Sequence, residues 1–269
     1  MDVQFMRECE IFSSLKVPCG SKILLRLDGR GFYKLSKQMD LEKPYDPLFV
    51  KAMVNSALEI FKEFSPAFIY TFSDEINILM ADIPFSGRIE KLDSVFASFT
   101  ANSFFKNLID AKIRGRDDEN EKLKKVELDI FKQDLFKDIK TISFDCRIIP
   151  LSSEMVFEYF KERQDEAWRN CINGYAYWTL RNEMDQEESM KILNGLKSDK
   201  IHDILFKRGI NIGEVPVWQR RGVALYKVDK KVKGYNPLSQ KEVESARKVI
   251  YADWNLPRFS TEFFDNIFD

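Results

Sequence analysis

The chain has 269 residues, of which 44% are hydrophobic and 32% charged, and its formal net charge is −1. These values predict a globular protein built from one large domain, or from one domain with appendages. No apolar run approaches the roughly 20 residues that span a bilayer, and the first residues lack the basic and apolar stretches of a secretion signal. We therefore expect a cytoplasmic protein that does not bind a membrane.

Cysteine and histidine are too sparse to predict a zinc site. The four cysteines are scattered without a C-x-x-C pair, and His202 is the only histidine. We interpret the cysteines as buried free thiols. Acid–base chemistry is then expected from carboxylates, lysines or metal-bound water. The near-zero net charge does not indicate whether the protein binds nucleic acid, because a basic face can lie opposite an acidic site.

The first half of the chain is predicted to alternate strands and helices. Asp46 is a candidate helix N-cap, with Pro47 at the first helical position. Two apolar runs separated by Ser73-Asp74-Glu75 predict a β-hairpin. The predicted elements are a strand at 22–27, a helix at 48–64, hairpin strands at 67–72 and 76–81, and an amphipathic helix at 89–113.

The second half is predicted to be mostly helical. The charged stretch 114–140 is expected to be a solvated excursion that contains a short helix. The other predicted elements are a strand at 141–150, a helix from Ser152 or Ser153 to about 183, short helices through 206 and a strand at 222–228. This order predicts an α+β fold, with a mainly antiparallel sheet and a split βαβ core covered by helices.

Acidic residues follow two of the predicted strands. Asp28 ends the first strand, and Asp74 and Glu75 form the tip of the hairpin. If these strands pair, the carboxylates meet at one edge of the sheet. Mg²⁺ takes oxygen ligands and commonly uses one or two carboxylates with substrate phosphates, and two ions roughly 3.5–4 Å apart can serve an in-line displacement. The alternative is that these are ordinary turn residues.

Several motifs resemble those of the tRNA-His guanylyltransferases and their archaeal and bacterial guanylyltransferase-like relatives. The motifs occur in the family's order over roughly residues 22–228. They are Arg26-Leu27-Asp28-Gly29-Arg30-Gly31-Phe32, Lys43-Pro44, Ser73-Asp74-Glu75, Phe144-Asp145-Cys146-Arg147, Arg163-Gln164-Asp165-Glu166, the region Asn173–Trp178, the stretch from Lys200 to Phe206, and Arg220-Arg221-Gly222.

The resemblance implies a polymerase-type palm domain that works in the 3′-5′ direction. Such an enzyme activates the 5′ end of tRNA with ATP or GTP and then adds nucleotides to it, using a template strand. The resemblance also implies a homotetramer or homodimer. We expect a palm-like catalytic domain at 1–150, a helical part at 151–228 that contacts nucleotide and tRNA within the same unit, and a C-terminal extension at 229–269.

The resemblance also implies roles for particular residues. Asp28, the Gly29 carbonyl and Asp74 would hold two Mg²⁺ ions, and the catalytic residues would be Asp28, Asp74 and Glu75. The implied contacts to GTP and ATP are Gly31, Phe32, Lys43, Ser73, Lys200 and Asn211. The implied tRNA contacts are Arg26, Arg30, Arg147 and Arg163. Lysine suits a triphosphate as a point charge and arginine grips phosphate bidentately, although surface cations are usually only solvated.

One segment departs from the family pattern. Eukaryotic members carry His-Ile-Asn-Asn where this chain has Trp168-Arg169-Asn170-Cys171, which favours 5′-end repair over a dedicated tRNA-His guanylyltransferase. His202 lies in a different segment and is interpreted as a surface helix residue.

Two other functions and one local question stay open. A palm-type nucleotide cyclase is disfavoured because the hairpin tip lacks a Gly-Gly-Asp/Glu-Glu-Phe signature. A silent tRNA-binding protein is disfavoured because the acidic positions are kept. In the tail, Trp254 and Phe259 either stack on RNA or dock in the core.

Overall fold

The computed structural model describes residues 8–117, 141–236 and 241–268. Its centre is a six-stranded sheet in which every hydrogen-bonded pair of strands is antiparallel. The strand order is β4-β1-β3-β2-β5-β6. The strands are β1 (Lys22–Gly29), β2 (Phe68–Phe72), β3 (Glu75–Leu79), β4 (Phe144–Leu151), β5 (Val223–Asn236) and β6 (Lys241–Asp253).

Helices cover both faces of this sheet. The second helix begins where the sequence predicts, because Asp46 accepts hydrogen bonds from the backbone N–H groups of Leu48 and Phe49. The helices are α1 (Phe32–Gln38), α2 (Pro47–Phe64), α3 (Ile89–Asp117), α4 (Ser153–Arg181), α5 (Gln186–Leu193), α6 (Ser198–Phe206), α7 (Val217–Arg221) and α8 (Thr261–Phe268), with a 3₁₀ turn at Pro84–Gly87.

The first four strands confirm the predicted split βαβ core. β3 lies between β1 and β2 and is antiparallel to both, so β1 and β2 run parallel and α2 connects them. β1 lies between β3 and β4 in the same way, and α3 makes that connection. Two interleaved βαβ units of this kind form a ferredoxin-like palm fold.

Alternation along the strands separates the core into two layers. Leu25 and Leu27 of β1 belong to the cluster under α2 and α3, whereas Leu24 belongs to the cluster under α4 and α8. Successive side chains of a strand point to opposite faces, so one strand serves both layers. A third cluster joins the later part of α4 to α6 through Cys171, Ile172, Ala176, Ile201, Leu205 and Ile212.

The C-terminal part of the sheet extends beyond the sequence prediction. The strand expected at 222–228 continues to Asn236, so the boundary expected at residue 228 falls inside β5, and β5 pairs along its length with β6. Lys230 and Arg247 are opposed in this hairpin, and both are exposed. Few apolar residues alternate there, so the sequence carries little strand signal. Phe259 is buried, which confirms core docking for that residue, and Trp254 is half-buried.

Two other expectations need correction. The helix α3 continues to Asp117, so residues 114–117 are helical and the remainder of the predicted excursion, 118–140, lies outside the described residues. The cysteines are not all buried as expected: Cys9 and Cys19 are exposed and Cys146 is half-buried, which leaves Cys171 as the buried thiol. Along the described ranges, no helix combines the length and apolar character that crossing a membrane requires.

Candidate functional site

Three carboxylates lie side by side near the end of β1. Asp28 is directly opposite Glu75 of β3 and, on the other side, directly opposite Asp145 of β4. Opposed residues of antiparallel strands point to the same face, with Cβ atoms about 4.5–5.5 Å apart. Leu24, four residues earlier on the same face, packs under α4. The three carboxylates therefore lie on the α4 face of the sheet, at its polar end.

The hairpin tip brings Asp74 beside this row. The Gly29 N–H donates to the Asp74 carbonyl oxygen at 3.1 Å, which ties the end of β1 to the turn. Ser73 has a positive φ of 50°, and its Oγ donates to the Asp74 carboxylate at 3.0 Å. Burial raises the pKa of the Asp74 carboxyl, and the negative charge of Asp28 adds to this rise against the hydrogen bond from Ser73. Asp28 and Asp74 therefore repel each other when both are ionised.

These oxygen donors suit a hard divalent cation. Within the described ranges, no three or more His, Cys, Asp or Glu side chains are grouped so that they could hold a metal ion. Mg²⁺ does not require such a cage, because it commonly binds through one or two carboxylates while water and substrate phosphates complete its shell. A cation would also offset the repulsion between Asp28 and Asp74. The residues present therefore fit Mg²⁺ bound together with a phosphate ligand.

A cavity of about 230 Å³ opens beside Asp74. Lys43 lies in its wall, with Nζ 5.6 Å from the centre of the Trp178 ring and donating to Ser36 Oγ at 2.7 Å. Desolvation lowers the pKa of the Lys43 amine, although nearby Asp46 opposes the shift. The lining residues include Phe32, Tyr33, Ser36, Glu42, Lys43, Pro44, Tyr45, Asp46, Phe49, Ser73, Asp74 and Trp178. The cavity thus combines aromatic surface, a cation and the acidic turn.

The residues expected to contact nucleotides are only partly brought together. Phe32, Lys43 and Ser73 line this cavity, and Gly31 precedes α1 with a left-handed φ of 74°. Lys200 lies elsewhere, exposed on α6 and 3.8 Å from Asp203. Asn211 also lies outside the lining, where its side chain bonds to Glu214 and to the Gly213 N–H.

The four arginines expected to contact tRNA fall into two pairs. Arg30 and Arg147 are exposed, and Arg147 Nε lies 3.5 Å from the Asp145 carboxylate. Arg26 and Arg163 are partly covered by α4 and the sheet. Arg163 Nη1 lies 3.5 Å from Glu75 Oε2, and the two side chains are only 14% and 12% exposed.

Two polar residues behind Glu75, Asn77 and Tyr159, were not predicted from the sequence. Asn77 Nδ2 donates to Glu75 Oε1 at 2.8 Å, and the Tyr159 hydroxyl donates to Asn77 Oδ1 at 2.6 Å. The available signal was Asn77 itself, a polar residue between Ile76 and Ile78 in an otherwise apolar strand. A polar side chain at such a core position needs a hydrogen-bonding partner.

His202 is not remote from the segment that departs from the family pattern. Its ring is tilted 34° against that of Trp168, with centroids 5.8 Å apart. The two residues come from α6 and α4, and both are half-buried. The imidazole is thus next to Trp168, the residue that the sequence resemblance places where eukaryotic members have a histidine.

Comparison of the chain with known proteins identifies its relatives. A tRNA(His) guanylyltransferase of Debaryomyces hansenii is 27% identical over 237 residues, which cover 84% of this chain and 82% of that protein. A probable tRNA(His) guanylyltransferase of Dictyostelium discoideum is also 27% identical, over 76% of this chain and 75% of that protein.

Solved structures share the fold. A bacterial tRNA(His) guanylyltransferase-like protein in complex with ATP superposes with a TM-score of 0.69 at 21% identity, covering 98% of this chain and 97% of that one. The tRNA(His) guanylyltransferase of Saccharomyces cerevisiae has a TM-score of 0.64 at 20% identity, covering 83% of this chain and 92% of that one. The family model for tRNAHis guanylyltransferase matches residues 3–152, more than half of the chain. The chain therefore belongs to the tRNAHis guanylyltransferase family of tRNA nucleotidyltransferases.

Proposed function

We propose that this protein adds nucleotides to the 5′ end of tRNA in a template-dependent, 3′-5′ reaction, after activation of that end with ATP or GTP. The observation that carries the proposal is the position of Asp28 and Asp74 at one end of the sheet, beside a cavity that contains Lys43. Family membership supports tRNA as the substrate. Bacterial guanylyltransferase-like proteins in complex with ATP and with GTP support the two nucleotides.

In this proposal the acidic end of the sheet is the catalytic centre. Asp28, the Gly29 carbonyl and Asp74 would hold two Mg²⁺ ions, and Glu75 would assist them. The ions would supply positive charge to the phosphate oxygens and lower the pKa of the attacking hydroxyl. Asp28 and Asp74 orient the reacting groups, and the hydrogen bond between Gly29 and Asp74 keeps the end of β1 and the hairpin at a constant separation.

The cavity is the proposed nucleotide site. Lys43 offers a positive charge to the triphosphate, and Trp178 offers aromatic surface to the base. Phe32 forms part of the cavity wall, but its ring is largely buried in the core. Ser73 supplies a hydroxyl next to Asp74, and Gly31 leaves the backbone open beside the cavity. Lys200 and Asn211 are outside the cavity wall, so we propose that they contact a nucleotide, or the 5′ end of the tRNA, where it extends over α6.

Exposed Arg30 and Arg147 are the proposed tRNA contacts near the catalytic centre. Both extend into solvent and can reach phosphate oxygens, which arginine binds through two parallel hydrogen bonds. Such contacts weaken steeply as salt rises, because each one releases condensed counterions. Binding of tRNA to the wild type and to an Arg147→Ala variant at several salt concentrations measures this contribution.

Trp168 in place of the family's histidine favours 5′-end repair over dedicated addition of guanylate to tRNA-His. Residues 1–150 and 151–228 would act as one catalytic unit with a C-terminal extension. The proposal includes the homotetramer or homodimer and the cytoplasmic location that the resemblance implies.

The central test is extension of a tRNA that lacks its first 5′ nucleotide, with labelled GTP, ATP and Mg²⁺. We expect extension by the wild type and by Asp82→Ala, a control at an exposed aspartate away from the site. Asp28→Ala and Asp74→Ala should each reduce the rate by about two orders of magnitude or more. No extension by the wild type, or equal extension by the site variants, contradicts the proposal and leaves a silent tRNA-binding protein.

A second assay separates repair from dedicated guanylylation. Transcripts of tRNA-His and of another tRNA, each with and without the first base pair, are offered to the wild type. Extension of both truncated tRNAs supports repair. Addition of guanylate only to intact tRNA-His supports the alternative.

A further inference from the structure

We infer that Arg163, with Asn77 and Tyr159 behind it, is a positioning residue for the Glu75 carboxylate and does not contact tRNA. The inference rests on the proposed function, in which Glu75 assists the catalytic centre. It replaces the tRNA contact that the sequence resemblance implies for Arg163.

Both oxygens of Glu75 have partners on the protein. Asn77 Nδ2 donates to Oε1 at 2.8 Å, and Arg163 Nη1 lies 3.5 Å from Oε2. Because both side chains of the ion pair are almost covered, water screens the pair far less than it screens a surface pair. Arg163 Nη2 lies 3.6 Å from Glu162 Oε1. Both terminal nitrogens therefore face carboxylates of this chain, and little of the guanidinium is left for a bound macromolecule.

A second layer holds this arrangement in place. The Tyr159 hydroxyl donates to Asn77 Oδ1 at 2.6 Å, which leaves the Asn77 amide nitrogen pointing towards Glu75. Tyr159 and Arg163 are one helical turn apart on α4 and reach the same face of the sheet. The packing of α4 on the sheet therefore determines the position of the Glu75 carboxylate.

The position of Glu75 matters because Asp28 is directly opposite it. A third negative charge next to Asp28 and Asp74 would compete for the same cation or repel the incoming phosphates. Arg163, together with Arg26, offsets that charge, and the contact with Arg163 draws the carboxylate towards α4. Its loss frees Glu75 to turn towards Asp28, which adds negative charge where a cation binds but removes the ordered arrangement needed for turnover.

The test measures three quantities for Arg163→Ala: turnover of 5′ extension at saturating tRNA, Mn²⁺ affinity from the electron paramagnetic resonance signal of free Mn²⁺, and tRNA affinity from filter binding. We expect turnover to fall about 10- to 100-fold, the usual effect of losing a group that orients a metal-site carboxylate. The Mn²⁺ affinity should be unchanged or tighter, and the tRNA affinity unchanged. Arg163→Lys, which keeps the charge, should restore part of the turnover.

Two further variants distinguish a change at the site from a general loss of folded protein. Tyr159→Phe removes one hydroxyl and keeps the ring, and we expect a smaller fall in turnover of the same kind. Arg208→Ala breaks an arginine–glutamate pair of 2.7 and 2.9 Å with Glu183, just beyond the C-terminal end of α4, and it should leave all three quantities unchanged. In a double-mutant cycle, Arg163→Ala should cause little further loss once Glu75 is replaced by glutamine.

The opposing results are distinct. Weaker tRNA binding by Arg163→Ala with normal turnover at saturating tRNA would identify a tRNA contact and overturn the inference. Additive effects of the Arg163 and Glu75 variants, or wild-type turnover in Tyr159→Phe and Arg163→Ala, would also overturn it while leaving the proposed function intact. A wild type that does not extend tRNA overturns the proposed function and this inference with it.

Discussion

Gly29 joins the stability of the core to the geometry of the site, so Gly29→Ala is an informative perturbation. A Cβ atom at this position would lie 2.7–2.8 Å from three atoms of the Phe32 ring. That ring cannot move aside easily, because it is packed against Phe49, Phe104 and Phe144 at centroid distances of 5.8, 5.1 and 5.1 Å. Glycine is required here because the ring lies directly over the backbone.

The expected cost follows from this overlap. Inserting a methyl group into a packed core typically costs about 1–3 kcal/mol. Because the rings around Phe32 cannot move easily, we expect a cost of about 2 kcal/mol or more. For a chain of this length, a loss of about 2 kcal/mol lowers Tm by about 4 °C. The same shift moves the backbone that carries Asp28, so 5′ extension should fall by more than the loss of folded protein explains.

We expect thermal and urea unfolding to separate four variants: Gly29→Ala, Gly31→Ala, Phe32→Leu and the double variant Gly29→Ala/Phe32→Leu. Gly31→Ala is the matched control, because that glycine has a φ of +74° but no atom of the described residues within 4 Å of the place an added Cβ would take. It should therefore cost only the left-handed strain of about 1 kcal/mol. Adding Phe32→Leu to Gly29→Ala should relieve the overlap and make the two changes non-additive. If Gly29→Ala leaves the free energy of unfolding unchanged, or if its effect is strictly additive with that of Phe32→Leu, the Phe32 ring does not require glycine at position 29.

Two further variants probe charge in the site. Lys43→Met keeps a side chain against Trp178 but removes the positive charge, so KM for GTP or ATP should rise about tenfold or more with Tm unchanged, as steady-state kinetics and thermal unfolding can measure. Asp74→Asn should raise Tm at pH 7 in EDTA while abolishing extension. The expected rise in Tm follows from the pKa of Asp74, which burial and then the charge of Asp28 raise in the folded protein. The ionised carboxyl therefore opposes folding. This penalty grows as the pH rises above the unfolded pKa near 4. The gain in Tm should therefore shrink as the pH is lowered towards 4.

Each of these outcomes has a clear opposite. An unchanged KM for both nucleotides in Lys43→Met would show that this amine does not meet the triphosphate. A Tm that falls by the same amount at pH 4 and pH 7 in Asp74→Asn would show that the carboxylate stabilises the turn through its hydrogen bonds rather than opposing folding through its charge.

Much of the fold could be predicted because its signals are local. Apolar alternation marked β1 and the hairpin strands, and Asp46 before Pro47 marked the start of α2. The long hairpin of β5 and β6 was missed in part, since exposed residues such as Lys230 and Arg247 on a two-stranded ribbon show no alternation between core and solvent.

The α+β class, the family, and the positions of Asp28 at the end of a strand and Asp74 in a hairpin turn could all be predicted from the sequence, because each depends on short-range patterns or motifs. The contacts of Glu75 with Arg163 and Asn77, in contrast, are visible only in the folded chain. The same holds for the position of Lys200 outside the cavity and for the packing of His202 beside Trp168. The physical reason is that periodicity reports which face a residue occupies, whereas the partner it meets depends on how a distant helix packs on the sheet.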